Sequence, residues 1–320
     1  MKNRFVQITL MVTVLTLLFC GSVQGGEVRQ ISIAGAGTSG TFYIMASGFA
    51  DLFQKNLKIT AVSEVTAGAV ENARLLDAGK VEMGVLQLDV MLDALKGQNA
   101  TFKEPVKISS LVPMYPNIVQ VIALKDSPIK TFADLKGKKV SVGSPGSGIL
   151  ATNKIILETM GLSMETIDPR YLSFVETTDA FRDGQIDAAI VNTAAPAPWV
   201  VDLETTHPVK LIPFTAEDIK KFCSQYTYFV PISLTKDTYK SLDGDVDTFA
   251  LWITLAALDS FPEQTAYDAT RLIFENVETL KSIHSAAKYI SLENVKSINV
   301  PFHPGAARYL KEKGIDVRVK

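Results

Sequence analysis

The sequence predicts an α/β protein made of two doubly wound lobes, each a mainly parallel sheet with helices on its faces. Two observations support this fold class. Strand, glycine-rich loop and helix patterns alternate along the chain from residue 29 onwards, and such alternation is typical of parallel sheets. The same order of elements returns near residue 138, which favours a second lobe of similar design.

The first lobe opens with two strand–loop–helix units. Residues 29–34 alternate in polarity as a strand does, and residues 35–40 form a glycine loop that apolar residues at helical spacing follow. Residues 58–65 are a second, β-branched strand, residues 66–68 its turn, and residues 81–86 the strand after the next helix. We therefore expect three neighbouring strands with their loops at one edge of a sheet.

The second lobe is predicted from residue 138. Residues 138–142 form a strand, residues 143–148 a glycine and serine loop, and the helix that follows ends at Gly161. Residues 77–85 resemble residues 182–190 at an offset of 105, and a Ser-Gly pair recurs at an offset of 108. These offsets favour a duplicated lobe, although helix, glycine, acid and strand are also a common α/β junction.

Two segments are expected to link the lobes, residues 113–124 and residues 225–231. After Pro231 the pattern predicts helices over residues 246–259, 263–275, 278–290 and 305–313, which return to cover the first lobe. The predicted organisation is a signal peptide over residues 1–25, a discontinuous first lobe over residues 26–117 and 231–320, and a second lobe over residues 118–230.

Composition excludes several classes of protein. In 320 residues, 47% hydrophobic and 21% charged content is ordinary for a globular protein and not for a disordered or collagen-like one. The formal net charge of −2 gives no electrostatic reason to expect nucleic acid as a partner. Two cysteines and three histidines are too few for a disulfide framework or a Cys/His zinc site. We therefore expect no metal and no cofactor.

The first 25 residues have the pattern of a secretory signal peptide. Lys2 and Arg4 precede an apolar stretch over residues 6–19, which is shorter than a spanning helix needs. Cleavage is expected near Gly25. A lipid anchor at Cys20 is disfavoured because the bulky Phe19 stands before it. These features predict a periplasmic protein without a membrane span.

The first glycine loop also permits a different interpretation. Residues 35–40 fit G-x-G-x-x-G between a strand and a helix, and Glu64 lies 24 residues beyond Gly40, where a ribose-binding acid is expected. The signal peptide argues against a soluble nicotinamide cofactor. The sequence also contains no G-x-S-x-G, H-E-x-x-H or C-x-x-C motif. A secreted α/β enzyme, either nucleotide-dependent or a hydrolase using Ser147, remains the alternative.

Three loops have the composition of an anion site, at residues 38–41, 66–69 and 144–148. A glycine and hydroxyl-rich loop that opens a helix presents free N–H groups and the positive end of the helix dipole. In open α/β sheets such loops gather at the carboxyl ends of the strands, where ligands bind. If two loops belong to one lobe and the third to the other, they face each other across a cleft.

The candidate ligand-binding residues come from these loops and from two further strand ends, and no catalytic residue is predicted. They are Gly37, Thr38, Ser39, Gly40, Thr41, Tyr43, Thr66, Gly68, Gln87, Asp89, Ser144, Gly146, Ser147, Gly148, Ala195 and Pro196. Each has a structural alternative, such as a tight turn for the glycines or a helix cap for the threonines and Asp89. Ala195 and Pro196 would form an apolar wall that Trp199 covers. Asp89 or Glu64 would contact an ammonium group if the ligand has one.

An ordered set of motifs across nearly the whole predicted mature chain resembles the TAXI family of TRAP-transporter solute receptors. The motifs are residues 37–43 (GTSGTFY), 66–72 (TAGAVEN), 87–89 (QLD), 142–148 (VGSPGSG), 184–188 (GQIDA) and 303–309 (HPGAARY). The second loop departs from the family's Thr-Gly-Gly-Ser, because Ala67 and Ala69 replace a glycine and a serine. Phe42 likewise stands where the family usually has a second tyrosine.

The resemblance implies both a fold and a function. The fold would be a two-lobed periplasmic-binding-protein fold, type II-like, with a hinge of two segments. The protein would act as a monomer that delivers its ligand to a membrane-embedded TRAP permease. Its ligand would be a small organic anion such as glutamate, 2-oxoglutarate or a related dicarboxylate.

Overall fold

The computed structural model of the chain describes residues 28–320. The predicted signal peptide over residues 1–25, together with the anchor alternative at Cys20, lies outside these described residues. No helix within residues 28–320 combines the length and the apolar character that crossing a membrane requires.

Strands and helices alternate through most of the described chain. The strands are β1 Gln30–Ala34, β2 Thr60–Glu64, β3 Met83–Gln87, β4 Ile108–Leu124, β5 Lys139–Ser141, β6 Asp168–Arg170, β7 Ala188–Thr193, β8 Val209–Leu211, β9 Phe229–Leu234 and β10 Val246–Leu258. The α-helices are α1 Thr41–Leu57, α2 Ala69–Asp77, α3 Leu88–Lys96, α4 Gly148–Thr159, α5 Phe174–Arg182, α6 Pro198–Glu204, α7 Ala216–Gln225, α8 Glu263–Glu275, α9 Val277–Ile283 and α10 Pro304–Glu312.

The strands form two parallel blocks joined through a long antiparallel ladder. The order is β2-β1-β3-β10-β4-β7-β5-β6, with β8 paired to β4 and β9 paired to β10. Strands β1, β2 and β3 run parallel in one lobe, and β5, β6 and β7 run parallel in the other. The predicted blocks are therefore present, and β4 and β10 connect them into one continuous sheet.

Strands β4 and β10 are the connection between the lobes. The predicted crossing over residues 113–124 lies within β4, which is 17 residues long and buried along nearly its whole length. Its pairing with β10 shifts register between Trp252 and Thr254, opposite Pro116 and Pro113. Because proline has no N–H to donate, it interrupts a ladder, and the irregularity lies where the two lobes meet.

The prediction of a helix over residues 246–259 is wrong, because this segment is strand β10. The segment is buried on both faces for most of its length, so it shows no polar alternation, and a continuous apolar run does not distinguish a buried strand from a helix. Its β-branched and aromatic residues are the signal that favours a strand. The second predicted link, residues 225–231, instead contains the end of α7 and the start of β9.

Helices were predicted correctly elsewhere in the last third of the chain. Residues 263–275 match α8, and residues 305–313 match α10 within one residue. The helix predicted over residues 278–290 is divided into α9 and a short 3-10 helix, Ser285–Tyr289.

The hydrophobic cores follow the two lobes. One cluster contains the buried residues of α1 to α3 with those of β10 from Ile253 onwards. Two further clusters cover the opposite faces of the β4–β7 region, and one of them includes Phe229, Phe249 and Leu251. The division into lobes is a proposal. The packing favours a change in the point at which the chain returns to the first lobe, from residue 231 to about residue 251.

Candidate functional site

A cavity of about 350 Å³ lies between the two lobes, where the loops after several strands converge. The first lobe contributes residues 36–42, 65–69, Gln87 and Asn117; the second contributes Ser141, residues 143–144, 147–149 and 172–175, Thr177 and residues 191–193. The loop near Gly40 and the loop near Ser147 therefore open onto the same cavity, as the anion-site hypothesis requires.

The lobes touch each other around this cavity. The N–H of Glu71 donates a hydrogen bond of 3.1 Å to the carbonyl oxygen of Gly146 in the other lobe. A Cβ placed on Gly68 would lie 3.4 Å from Cα of Ser147, and one on Gly40 would lie 3.4 Å from the ring of Phe174. The structure is thus a closed arrangement of two lobes, in the sense of hinge closure.

Four helices begin at the cavity wall. Helices α1 and α2 start after Gly40 and Gly68, and neither has a side-chain cap. Helices α4 and α5 start after Ser147 and Ser173. The hydroxyls of these serines cap the two helices by accepting from the N–H groups of Leu150 and Glu176. The first N–H groups of a helix have no acceptor within the helix and lie at the positive end of its dipole. These four starts concentrate hydrogen-bond donors and partial positive charge on one space.

Two glycines are required by the geometry of this region. Gly68 has φ 124° and ψ −157°, a backbone conformation accessible to glycine and strained for any other residue. A Cβ on Gly148 would overlap the side-chain amide of the buried Gln87. The close approach of α4 to the first lobe therefore depends on the absence of a side chain at residue 148.

Most of the predicted site residues line the cavity. They are Gly37, Thr38, Ser39, Gly40, Thr41, Thr66, Gly68, Gln87, Ser144, Ser147 and Gly148. The residues that do not line it are Tyr43, Asp89, Gly146, Ala195 and Pro196.

Two of the lining hydroxyls already have partners in their own loops. Ser147 Oγ donates to the carbonyl oxygen of Ser144 at 2.6 Å and accepts from the N–H of Leu150. Thr66 Oγ1 is 2.6 Å from Oδ1 of Asn72. A hydroxyl has one hydrogen to donate, so these two residues hold their loops in place rather than donating to a ligand themselves.

Asp89 lies behind the cavity, in the interface between the lobes. Its carboxylate accepts from the hydroxyl of Thr152 in α4 at 2.5 Å and from the N–H of Val90 at 2.7 Å. Gln87 Nε2 lies 3.2 Å from the same Thr152 hydroxyl. Burial raises the pKa of Asp89 to about 6, although these hydrogen bonds act in the opposite direction. Asp89 is placed to join the lobes, and Glu64 is exposed at the end of β2.

The apolar wall consists of different residues from those predicted. Phe174 lines the cavity and stacks on the buried Trp199 at a centroid distance of 5.4 Å. Trp199 therefore supports the wall from behind, while Ala195 and Pro196 lie outside it. In the first turn of α1, Phe42 lines the cavity and Tyr43 does not.

Sequence reasoning missed two amides and the start of α5. Asn117 and Asn192 are polar residues within strands that are mostly apolar, which is an available signal for a functional position. The start of α5 has a capping box formed by Ser173 and Glu176, a pattern visible in the sequence. Its convergence on the cavity depends on tertiary structure.

The lining is uncharged. Among the described residues around the cavity there is no Asp, Glu, Lys, Arg or His. Its polar groups are hydroxyls, side-chain amides and the N–H groups of loops and helix starts. An anion in this space would be stabilised by neutral donors and by helix dipoles, without an ion pair.

A hydroxyl and a histidine meet at the start of α1, and their geometry bears on the enzyme alternative. Thr41 Oγ1 lies 3.4 Å from Nε2 of His284, whose Nδ1 accepts from the N–H of Ala286 at 3.0 Å. Burial lowers the pKa of His284, and a neutral ring that accepts at Nδ1 carries its proton on Nε2. His284 Nε2 therefore donates toward the Thr41 hydroxyl, and in this tautomer it does not act as a base that removes the hydroxyl proton.

Solved structures of binding proteins share this architecture. The alkanesulfonate-binding protein SsuA from Xanthomonas axonopodis pv. citri, bound to MOPS, matches with a TM-score of 0.50 at 16% identity, covering 90% of this chain and 91% of that chain. A protein from Bordetella bronchiseptica RB50 matches with a TM-score of 0.52 at 18% identity, covering 88% and 89%. At these identities the likeness establishes the fold alone, and it confirms the predicted two-lobed α/β fold of the periplasmic-binding-protein type.

Sequence comparison gives a local relative and a family. An Escherichia coli (strain K12) protein named as an aliphatic sulfonates-binding protein is 37% identical over 78 residues, which is 24% of this chain and 24% of that relative's length. The chain thus spans about a quarter of the relative that it matches. A family model covers residues 33–314, nearly all of the described chain. The chain therefore belongs to the NMT1-like family.

Proposed function

We propose that this protein is the extracytoplasmic solute receptor of a membrane transporter and that it captures a small organic anion between its lobes. The observation that carries the proposal is the convergence of helix starts from both lobes on one uncharged cavity. A ligand held by both lobes stabilises the closed arrangement, and a permease can then distinguish the loaded receptor from the empty one.

The number of donors is adequate for useful affinity. A hydrogen bond to a charged group contributes about 1.5–3 kcal/mol, and micromolar affinity corresponds to about −8 kcal/mol. Since association also costs translational and conformational freedom, four or five such bonds are needed. One loop does not offer that many donors, whereas four helix starts from two lobes do.

Within the transporters, the proposal is a TRAP-type system of the TAXI group. It rests on the ordered motifs named above, of which residues 37–42, 66–69 and 143–144 with 147–148 lie at the cavity. The partner would be a TRAP permease, and the N-terminal pattern of residues 1–25 supports export to the periplasm. The first ligands to test are glutamate and 2-oxoglutarate. Alkanesulfonates belong in the same panel because the E. coli relative is named for them.

The alternative of a secreted enzyme has less support from the geometry. Within the described chain, Ser147 Oγ is hydrogen-bonded to Ser144 and Leu150 and to no histidine or carboxylate. A serine nucleophile needs an adjacent base. Glu64, the acid that a nucleotide site would use on a ribose, is absent from the cavity lining.

Thermal denaturation of the chain from residue 26, with and without added ligands, tests the proposal. Stabilisation by a bound ligand increases as RT ln(1 + [L]/Kd). The expected result is a concentration-dependent rise in Tm with at least one carboxylate or sulfonate. A rise with NAD alone, or no rise with any anion of the panel, would overturn the receptor assignment.

A further inference from the structure

Two side-chain amides from different strands meet at the cavity. Asn117 belongs to β4 and Asn192 to the end of β7, and their exposed fractions are 1% and 2%. Both residues line the cavity. Asn117 Nδ2 lies 3.1 Å from the main-chain carbonyl oxygen of Asn192 and 3.2 Å from its Oδ1.

These contacts fix the orientation of both amides. A main-chain carbonyl oxygen only accepts, so the atom of Asn117 that faces it is the NH2 group. The same NH2 group meets the side chain of Asn192, which must therefore present its oxygen there. Oδ1 of Asn117 and Nδ2 of Asn192 consequently point away from the contact.

Both of these remaining atoms lack a partner. Oδ1 of Asn117 and Nδ2 of Asn192 are buried and make no hydrogen bond to any described residue. A buried polar group without a partner destabilises the fold, and such groups are rare in native proteins. One free acceptor and one free donor on adjacent amides at the same cavity form a complementary pair for a ligand group.

We propose that Asn117 and Asn192 determine ligand specificity by binding an uncharged group that both accepts and donates a hydrogen bond, namely a carboxamide. The ligand's carbonyl oxygen accepts from Asn192 Nδ2, and its NH2 group donates to Asn117 Oδ1. This inference rests on the proposed function and narrows it. The ligand has one anionic end, held by helix starts, and one neutral end, which agrees with a lining that holds no charged side chain.

Two monocarboxylates and one dicarboxylate of equal size test this assignment by calorimetry. Succinamate has a carboxamide, 4-oxopentanoate replaces its NH2 by a methyl group, and succinate replaces the amide by a second carboxylate. The expected result is that succinamate binds at least ~10-fold more tightly than the other two, because each of them leaves a buried amide atom unpaired. Equal or tighter binding of succinate would overturn the assignment.

A pair of variants distinguishes recognition from folding. Asn192→Leu removes the free donor, while Asn117 keeps its bond to the main-chain oxygen of residue 192. It is expected to weaken the binding of all three probes ~10-fold, because the carbonyl oxygens of succinamate and 4-oxopentanoate and a carboxylate oxygen of succinate all accept from that donor. Gln120→Leu is the control, since Gln120 is buried in β4 with an unpartnered Nε2 but lies outside the cavity lining.

The outcomes separate this inference from the function on which it rests. If wild type binds none of the three probes and no other anion of the panel, the receptor assignment fails. If wild type binds them without preference, or if Asn192→Leu binds succinamate as tightly as wild type does, the receptor assignment stands and the role of the amide pair is refuted. Loss of binding in Gln120→Leu as large as in Asn192→Leu would also refute it.

Discussion

The hydroxyl of Thr152, in the second lobe, donates a hydrogen bond of 2.5 Å to the carboxylate of Asp89, in the first. Both residues are buried, and Gln87 at the cavity wall donates toward the same hydroxyl. This bond exists only while the lobes are together. Because Gln87 lines the cavity and contacts the same hydroxyl, a ligand that contacts Gln87 is linked through this bond to the closure of the two lobes.

The ionisation of Asp89 predicts a specific pH dependence of stability. Its pKa is about 6 in the folded protein, chiefly because of burial, and its ordinary value is 3.8. The folded state therefore keeps a proton that the unfolded state has released, and the free energy of unfolding falls as pH rises from about 4 through 6. Each pKa unit corresponds to about 1.4 kcal/mol, so this residue contributes up to about 3 kcal/mol to the fall.

The measurement is chemical denaturation of wild type and Asp89→Asn between pH 4 and pH 8. The variant cannot ionise, so its free energy of unfolding should decrease less over this range, by roughly 2–3 kcal/mol. Asp51→Asn, at an exposed position of α1, serves as the control and should follow the wild-type curve. Parallel curves for wild type and Asp89→Asn would contradict the prediction.

Removing the interlobe hydroxyl should weaken ligand binding without unfolding the protein. Thr152→Val keeps the shape of the side chain but leaves the buried Asp89 carboxylate without one of its donors. The closed state loses this bond and the open state does not, so we expect a fall in affinity of about 10-fold for any ligand that requires closure. Calorimetry with the best ligand of the panel measures it.

Thr178→Val is the matched control for this variant. Thr178 is buried in the same lobe, and its hydroxyl donates to the carbonyl oxygen of Phe174 within its own helix. Its affinity should remain close to that of wild type. Equal losses in the two variants would show that general destabilisation, and not the bond to Asp89, lowers the affinity.

A methyl group at residue 148 should hinder closure. The Cβ of Gly148→Ala would overlap the side-chain amide of Gln87, which is buried and engaged with Thr152. Either Gln87 leaves its partners or α4 moves away, and both changes favour the open form. We expect lower ligand affinity and a larger radius of gyration in the presence of ligand, measured by small-angle X-ray scattering.

Gly244→Ala provides the comparison, because a Cβ at that position meets no atom within 4 Å. It should bind and compact as wild type does. Wild-type affinity and compaction in Gly148→Ala would mean that the contact between residue 148 and Gln87 does not limit closure.

The sequence predicted the parts of the site that local chemistry specifies. Gly40, Gly68 and Ser147 stand between strands and helices, where loop composition and helix capping act over a few residues. Asn117 and Asn192 were not predicted, since their meeting depends on how β4 and β7 pair. Asp89 was predicted as a site residue, but its burial between the lobes depends on Thr152, 63 residues away along the chain.

The error at β10 has the same physical origin. A segment buried on both faces loses the alternation that identifies strands, so its secondary structure is decided by the neighbours it pairs with. Strand β10 pairs with β3, β4 and β9. Of these three strands, β9 is its neighbour in sequence, whereas β3 and β4 lie more than 100 residues earlier in the chain. Local patterns alone therefore did not identify the strand that joins the lobes.

A carboxylate introduced at the start of α4 should abolish anion binding and leave the fold intact. Ser147→Asp keeps a capping oxygen for the N–H of Leu150, because Asp is as good an N-cap as Ser. The same change places a negative charge beside Ser144 and Gly148 at the cavity. This charge would repel an anionic ligand and would occupy the N–H donors at the start of α4. We expect no detectable calorimetric binding and a Tm within a few degrees of wild type.

Thr215→Asp is the matched control for that substitution. Thr215 caps α7 through the same kind of bond, to the N–H of Asp218, and lies outside the cavity lining. The substitution Thr215→Asp adds the same charge at the same helical position. A general effect of net charge or of helix capping would therefore lower anion binding in both variants. Binding that survives in Ser147→Asp would mean that the start of α4 does not contact the anion, and the site would then depend on the helix starts of the first lobe and on α5.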